Sequence, residues 1–288
     1  MARNGNPKYS DKFNKIIDFI YKNLQEDLSI EKLSNVASFS KFHFHRQFSA
    51  YMGISVHRFI QLTRLKKASY QLVFNHEIKV IDIALNSGFE NHESFSRAFK
   101  KNFHQTPSQF RKQPEWKLWH EQYNFIKFNG NNTMQVKIVT FEETKVAVLK
   151  HRGDPSLLNN SIKNFIQWRK ESGLSPLTSS HTFGIAYDDP KNTEPNKFRF
   201  DICGSVINEV AENKFNIINK KIPSGKYAVV RHVGSYDLMT SKVYDLYGKW
   251  LPESKEELRD FPLFFKYITL LPEVDESELI TDIYLPLK

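Results

Sequence analysis

The sequence predicts a multidomain fold, an all-α domain of two helix-turn-helix units followed by an α+β domain built of two strand-helix repeats. Three observations predict it. A helical pattern is written twice between Ile30 and Lys112, a strand-helix pattern is written twice after Met134, and the excess charge sits wholly in the first of these segments. Of the 288 residues, 1–112 carry 18 Lys and Arg against 9 Asp and Glu, whereas 113–288 carry 23 of each. A basic domain joined to a neutral one is the asymmetry expected when only one of them meets a polyanion.

The first helix is expected from about Ser10 to Asn23, where Phe13, Ile16, Ile17, Ile20 and Leu24 recur at helical spacing. Ser29 and Ser40 are good N-caps for the next two helices, and Gly53 is a natural residue to end the second of them. Ile30, Leu33 and Phe39 align with Val80, Ile83 and Phe89 at an offset of 50, and Phe44, Arg46 and Phe48 align with Phe95, Arg97 and Phe99 at 51. Each copy therefore reads as helix, tight turn, helix, the unit whose second helix can enter a major groove.

Phe44 and Phe48 face inward by their spacing, which leaves Phe42, His45 and Arg46 on the other side of the helix. Arg can bond guanine O6 and N7 together, and an aromatic edge can touch a thymine methyl; the plainer reading makes Phe42 core and Arg46 a solvated surface group. In the second copy Asn91 is the cap, Phe95 and Phe99 point inward, and His92, Glu93, Ser96 and Arg97 point out. Glu93 either accepts from cytosine N4 or complements the positive helix start. Lys100 and Lys101 suit phosphate, as do the first amides of a closing helix from Thr106. Between the copies, Ser55 to Phe74 forms one long helix of about 28 Å, enough to hold two readers near one turn of B-DNA apart.

These residues, with Ile83-Ala84, Gly88-Phe89, Phe95 to Lys101 and Thr106-Pro107 through Phe110-Arg111, resemble the AraC/XylS family of transcription regulators over about 100 residues. The resemblance implies promoter DNA with one recognition helix in each of two major grooves. By position it assigns Phe42, His45, Arg46, His92, Glu93, Ser96 and Arg97 to DNA. Ser38 and His104 stand where that family often has Gly.

The domains are expected at 8–112 and 134–288, with 113–133 as linker, since Pro114 and the run from Asn129 to Asn132 are turn-rich. Beyond it, β-type runs fall at 136–139, 146–149, 183–187, 198–207, 215–218, 227–230 and 280–285. At an offset of 81, 145–153 matches 226–234, and Leu157, Ile162 and Phe165 match Leu238, Val243 and Leu246. Two such units pair into one sheet with helices on one face and a concave groove where the copies meet. Symmetric structural positions explain His151 and His232 better than a metal or catalytic pair, because no second ligand or nucleophile recurs nearby. Cys203, the only cysteine, reads as a buried thiol.

Gly234 to Tyr236, Tyr247 to Pro252, Tyr187 to Pro190 and Thr281 to Pro286 resemble the GyrI-like effector-binding domain over about 155 residues. That resemblance implies a small-molecule sensor, often of bulky aromatic or cationic compounds, and in separate members a gyrase-inhibiting or hydrolytic role. Most aromatics of this half are core, and Tyr187, Tyr236, Trp250 and Tyr267 are the candidates to line the ligand. Many relatives carry a Glu within the segment that here reads Phe264-Phe265-Lys266-Tyr267, so Phe265 replaces the carboxylate and Asp188, Asp189 or Asp201 are its possible substitutes.

The expected function is that of a cytoplasmic, sequence-specific transcription regulator whose partners are double-stranded promoter DNA, RNA polymerase and an aromatic or cationic effector. No catalytic residue, metal site, cofactor or membrane segment is expected. A hydrolase fused to a DNA-binding domain and a ligand-independent architectural or partner-binding regulator are the alternatives.

Overall fold

Phenylalanines four residues apart organise the helical half, which the computed structural model resolves into α1 (Pro7–Lys22), α2 (Ile30–Val36), α3 (Lys41–Met52), α4 (Val56–Phe74), α5 (Val80–Asn86), α6 (His92–Phe103), α7 (Pro107–Lys112) and α8 (Trp116–Tyr123). The structure describes residues 7–36, 39, 41–123, 134–271 and 273–288, without the side chains of 7–11, 41–43 and 50. The expected cap Ser40, the turn residue Ser38 and the Asn129–Asn132 run lie outside the described residues. Two compact units result: Met1–Thr133 with Leu271–Glu278, and Met134–Leu270 with Leu279–Lys288.

In the first unit each helix-turn-helix pair has its own core. Phe44 and Phe48 pack with Phe13, Ile16, Leu33 and Phe59, while Phe95 and Phe99 pack with Leu65, Leu72, Ile83 and Phe110. The spine is α4, which gives Val56, Phe59 and Ile60 to the first core and Leu62 onward to the second. Ser55 caps it by accepting from the Arg58 amide at 3.2 Å, and Asn91 caps α6 by accepting from the Ser94 amide at 2.8 Å. The two turns repeat one hydrogen bond: the Phe39 amide donates to the Ser34 carbonyl at 2.8 Å, and the Phe89 amide to the Ala84 carbonyl at 3.1 Å. In the second turn Gly88 has φ +87°, and a Cβ there would lie 2.1 Å from the Leu24 carbonyl oxygen, so no other residue fits.

Residues 116–123, read from sequence as linker, are instead the helix α8. Trp116, Trp119 and Tyr123 are buried against the second core.

The second unit is an eight-stranded antiparallel sheet ordered β1-β6-β8-β7-β3-β4-β2-β5, from β1 (Val136–Phe141), β2 (Thr144–Arg152), β3 (Thr182–Ala186), β4 (Arg199–Ser205), β5 (Ile218–Ile222), β6 (Gly225–Val233), β7 (Phe264–Tyr267) and β8 (Ile280–Pro286). After β2 comes α9 (Leu158–Ser172); after β6 come α10 (Met239–Asp245), a π-helical turn at Leu246–Trp250 and α11 (Leu251–Ser254). Strand order reads the same backwards when the two copies are exchanged, and the first strand of each copy pairs with the other copy. The offset of 81 extends through the whole unit, so that Gly184 and Phe265 are equivalents and are also cross-strand partners. The approximate two-fold axis therefore passes through that pair.

Both helices pack on one face, over a core that includes Phe165, Trp168, Met239 and Leu246. The other face holds a second core with Phe183, Cys203, Tyr227 and Phe264. One strand differs from expectation: of 215–218 only Ile218 enters β5, and 215–217 precede it as a turn. The Asn213 carboxamide oxygen accepts from the amides of Phe215 and Ile217, and Asn216 is left-handed, which holds this apolar run out of the sheet.

Candidate functional site

Burial divides the charged residues of the helical unit into fasteners and free groups. Arg64 donates to the Leu24 and Glu26 carbonyls, Arg111 to the Ile78 carbonyl and Arg58 to Gln61 and Gln122, so these arginines hold loops in place. By contrast the side chains of His45, Arg46, Glu93, Arg97, Lys100 and Lys101 are exposed, and among the described residues none of them has a hydrogen bond or ion pair. His92 and Ser96 are half-buried and lie one turn apart on α6, Nε2 to Oγ 3.4 Å. Phe42 lies on α3, but its side chain falls outside the described ones. The inward residues Phe44, Phe48, Phe95 and Phe99 are all fully buried, which fixes the rotation of α3 and α6 and turns Arg46 and Arg97 to solvent at equivalent positions.

The start of α7 is less available than the sequence suggests. Thr106 and Gln109 form a reciprocal capping box that consumes both their amides, and Pro107 has none to offer.

In the second unit the helix-side face has an aromatic floor on the two-fold axis. A Cβ on Gly184 would lie 2.4 Å from the Phe200 ring and 2.8 Å from the Tyr267 hydroxyl, so glycine is what lets these two rings cross the sheet. Phe265 stacks on Phe200 with centroids 6.4 Å apart, and Tyr236 meets Tyr267 edge-on at 5.5 Å. Trp250 packs against the same core. Burial raises the Tyr267 phenol above the ordinary tyrosine range, so it stays a donor at neutral pH.

Tyr187 does not join them. Strand alternation puts residues 183, 185 and 187 on the opposite face. There its hydroxyl donates to the fully buried Asp201 at 2.9 Å, with Lys220 at 2.6 Å and Arg152 at 2.9 Å on the same carboxylate. Asp188 is held by Arg199 through three bonds, and Asp189 accepts from Tyr244, whose phenol is pushed up to about 12 mainly by that bond. None of the three candidate carboxylates reaches the aromatic floor. The residues that sequence reading missed, Gly184 and Phe200, were discoverable: continuing the offset of 81 beyond Phe165 pairs Gly184 with Phe265.

His151 and His232 are strand-end fasteners. The first has Nδ1 2.9 Å from Ser161 Oγ and Nε2 3.2 Å from the Asp154 carbonyl; the second has Nε2 2.8 Å from the Ser235 carbonyl. Burial holds both below the ordinary histidine range, with Arg152 and Lys242 adding to it and the backbone bonds opposing. A folded-state value below the unfolded value of ~6.5 means that the unfolded chain binds more protons, so this stability is present above that pH and is lost as pH falls. The thermal midpoint of this unit should therefore drop between pH 7.5 and about 5.5, above the carboxylate range, and a His151→Gln/His232→Gln variant should flatten that drop in a differential scanning experiment.

Among the described residues there is no cluster of three or more His, Cys, Asp or Glu able to hold a metal, and no helix long and apolar enough to cross a membrane.

Residues 134–288 match the GyrI-like small molecule binding domain, and residues 33–113 match a helix-turn-helix domain. A relative from Escherichia coli strain K12, the probable transcriptional regulator YgiV, is 47% identical over 157 residues, which is 54% of this chain and 98% of that protein. The uncharacterized HTH-type transcriptional regulator YbfP of Bacillus subtilis strain 168 is 44% identical over 103 residues, 36% of this chain and 35% of that one. Among solved structures, the EcmrR-DNA complex covers 87% of this chain and 85% of its own at a TM-score of 0.45 and 18% identity. The chain belongs to the GyrI-like small-molecule-binding family and carries an AraC-type helix-turn-helix domain ahead of it.

Proposed function

We propose that this chain is a one-component transcription regulator of the cytoplasm that reads a non-palindromic promoter site with α3 and α6 and is switched by a small molecule in the groove of its GyrI-like unit. The observation that carries it is the pair of equivalent, exposed and unpaired arginines, Arg46 and Arg97, on two helices whose other faces are fully buried. Their neighbours differ, His45 on one helix against His92, Glu93 and Ser96 on the other, so the two half-sites differ in sequence. Lys100 and Lys101 add phosphate contacts, which make affinity fall steeply with salt.

The ligand acts through unequal affinity for two states of the protein, which shifts promoter occupancy or contact with RNA polymerase. A hydrolytic reading would have to rest on Ser161 and His151, 2.9 Å apart, and that imidazole already holds the strand end through the Asp154 carbonyl. Genome-wide footprinting of the full chain tests the reading. The expected result is protection of asymmetric sites covering two successive major-groove segments; protection without sequence preference, or of palindromes alone, would contradict it.

A further inference from the structure

One row of side chains crosses the helix-side face of the GyrI-like unit: Ala147, Gly204, Thr182, Tyr267, Thr281 and His232, each paired in register with the next. Its symmetry mates, 81 residues away, are Ala228, Leu285, Leu263, Ala186, Phe200 and His151. The three middle positions thus hold hydroxyls in one row and only carbon in the other. Symmetry of the backbone is kept while symmetry of polarity is broken, and this face of the sheet acquires a polar end and an apolar end.

The polar end is rich in donors and has no carboxylate. Thr182 Oγ1 accepts from Arg169 at 2.8 Å, and Arg169 also donates to Ser175 at 3.2 Å. Arg169 is 5% exposed, its Nε has no partner, and no acidic side chain pairs with it among the described residues. Burial lowers it to about 10, which leaves it charged at neutral pH. Thr281 Oγ1 is fully buried and has no partner among the described residues. A buried cation without a counter-ion, and an unsatisfied hydroxyl on the same face, are unfavourable until an acceptor arrives. The symmetry mate of Arg169 is Trp250, so the same position on the other helix offers an indole to the apolar end.

We propose that the effector is an organic acid, with an apolar ring system lying on Phe265 and Phe200 and a carboxylate at Tyr267 and Thr182 in the field of Arg169. This rests on the groove being the ligand site. The two Asp residues of the strands, Asp201 and Asp282, lie on the far face and are ion-paired there, so among the described residues no strand carboxylate faces the floor to favour an organic cation.

The test is calorimetric titration of the full chain with three probes of one shape: 2-naphthoate, 2-naphthamide and 2-naphthylmethylammonium. Naphthoate should bind at least about tenfold more tightly than the ammonium, and Tyr267→Phe should weaken naphthoate about tenfold while leaving the ammonium unchanged. Gly184→Ala, which places a methyl in the floor, should remove naphthoate binding; Ala186→Leu serves where that variant does not melt cooperatively. Tighter binding of the ammonium that Gly184→Ala removes overturns the head-group assignment and leaves the groove in place. Naphthoate binding that neither floor variant alters overturns the groove reading itself, and no saturable naphthoate binding at millimolar concentration overturns the proposal.

Discussion

An Arg46→Ala/Arg97→Ala variant should bind its footprinted operator at least about thirtyfold more weakly than the parent while its binding to random DNA changes little. A bidentate contact from Arg to guanine contributes about 1–3 kcal/mol of discrimination, and two contacts on separate helices share no partner, so their losses add. Both side chains are exposed and make no bond among the described residues, so truncating them should cost the fold little. The melting temperature should stay within about a degree or two of the parent's. Lys100→Ala provides the contrast: it should weaken specific and random DNA alike and reduce the steepness of the salt dependence by about one phosphate. Mobility shifts over a salt series measure all of this. Arginine variants that behave as the lysine variant does would move Arg46 and Arg97 to the phosphate backbone and leave base reading to other residues.

The helical half was legible because its signals are local. The cap at Asn91, the left-handed Gly88 and phenylalanines four apart act within one or two turns of chain, without help from elsewhere. The groove was legible only in outline. The duplication at an offset of 81 announced two copies and a junction between them, yet which aromatics share that junction depends on strand parity and register. Tyr187 illustrates the difference: it continues a β-type run and resembles its neighbours in composition, but one residue of alternation sends it to Asp201 on the far face. Arg169 was invisible for another reason. In sequence it is one basic residue near a helix end, and only the close approach of Gly204, where a Cβ would lie 2.4 Å from the guanidinium, shows that the missing side chain is what makes room to bury it.

Removing α8 should be the most damaging change to the first unit. A chain ending at Gln113 retains both helix-turn-helix pairs but loses Trp116, Trp119 and Tyr123, which close the second core over Phe103 and Phe110. Trp116 lies 5.2 Å from Phe110 and Trp119 lies 5.3 Å from Tyr70, both edge-on, and the Tyr123 hydroxyl donates to the Leu62 carbonyl of α4 at 2.9 Å. Replacing a buried Trp by Ala costs about 3–5 kcal/mol, so Trp116→Ala/Trp119→Ala removes a large share of the roughly 5–15 kcal/mol that stabilises a domain. Neither indole N–H has a partner among the described residues, so the contribution comes from packing alone. It follows that Trp→Phe at the same positions should be much milder, because it gives up area but also removes an unsatisfied donor. Urea unfolding followed by DNA binding separates these outcomes. The alanine pair should unfold the second reading unit and lose operator affinity although no DNA-facing residue has changed, and the phenylalanine pair should keep both. Equal, small effects from the two pairs would mean that α8 merely rests on the core and that the reading unit ends at α7.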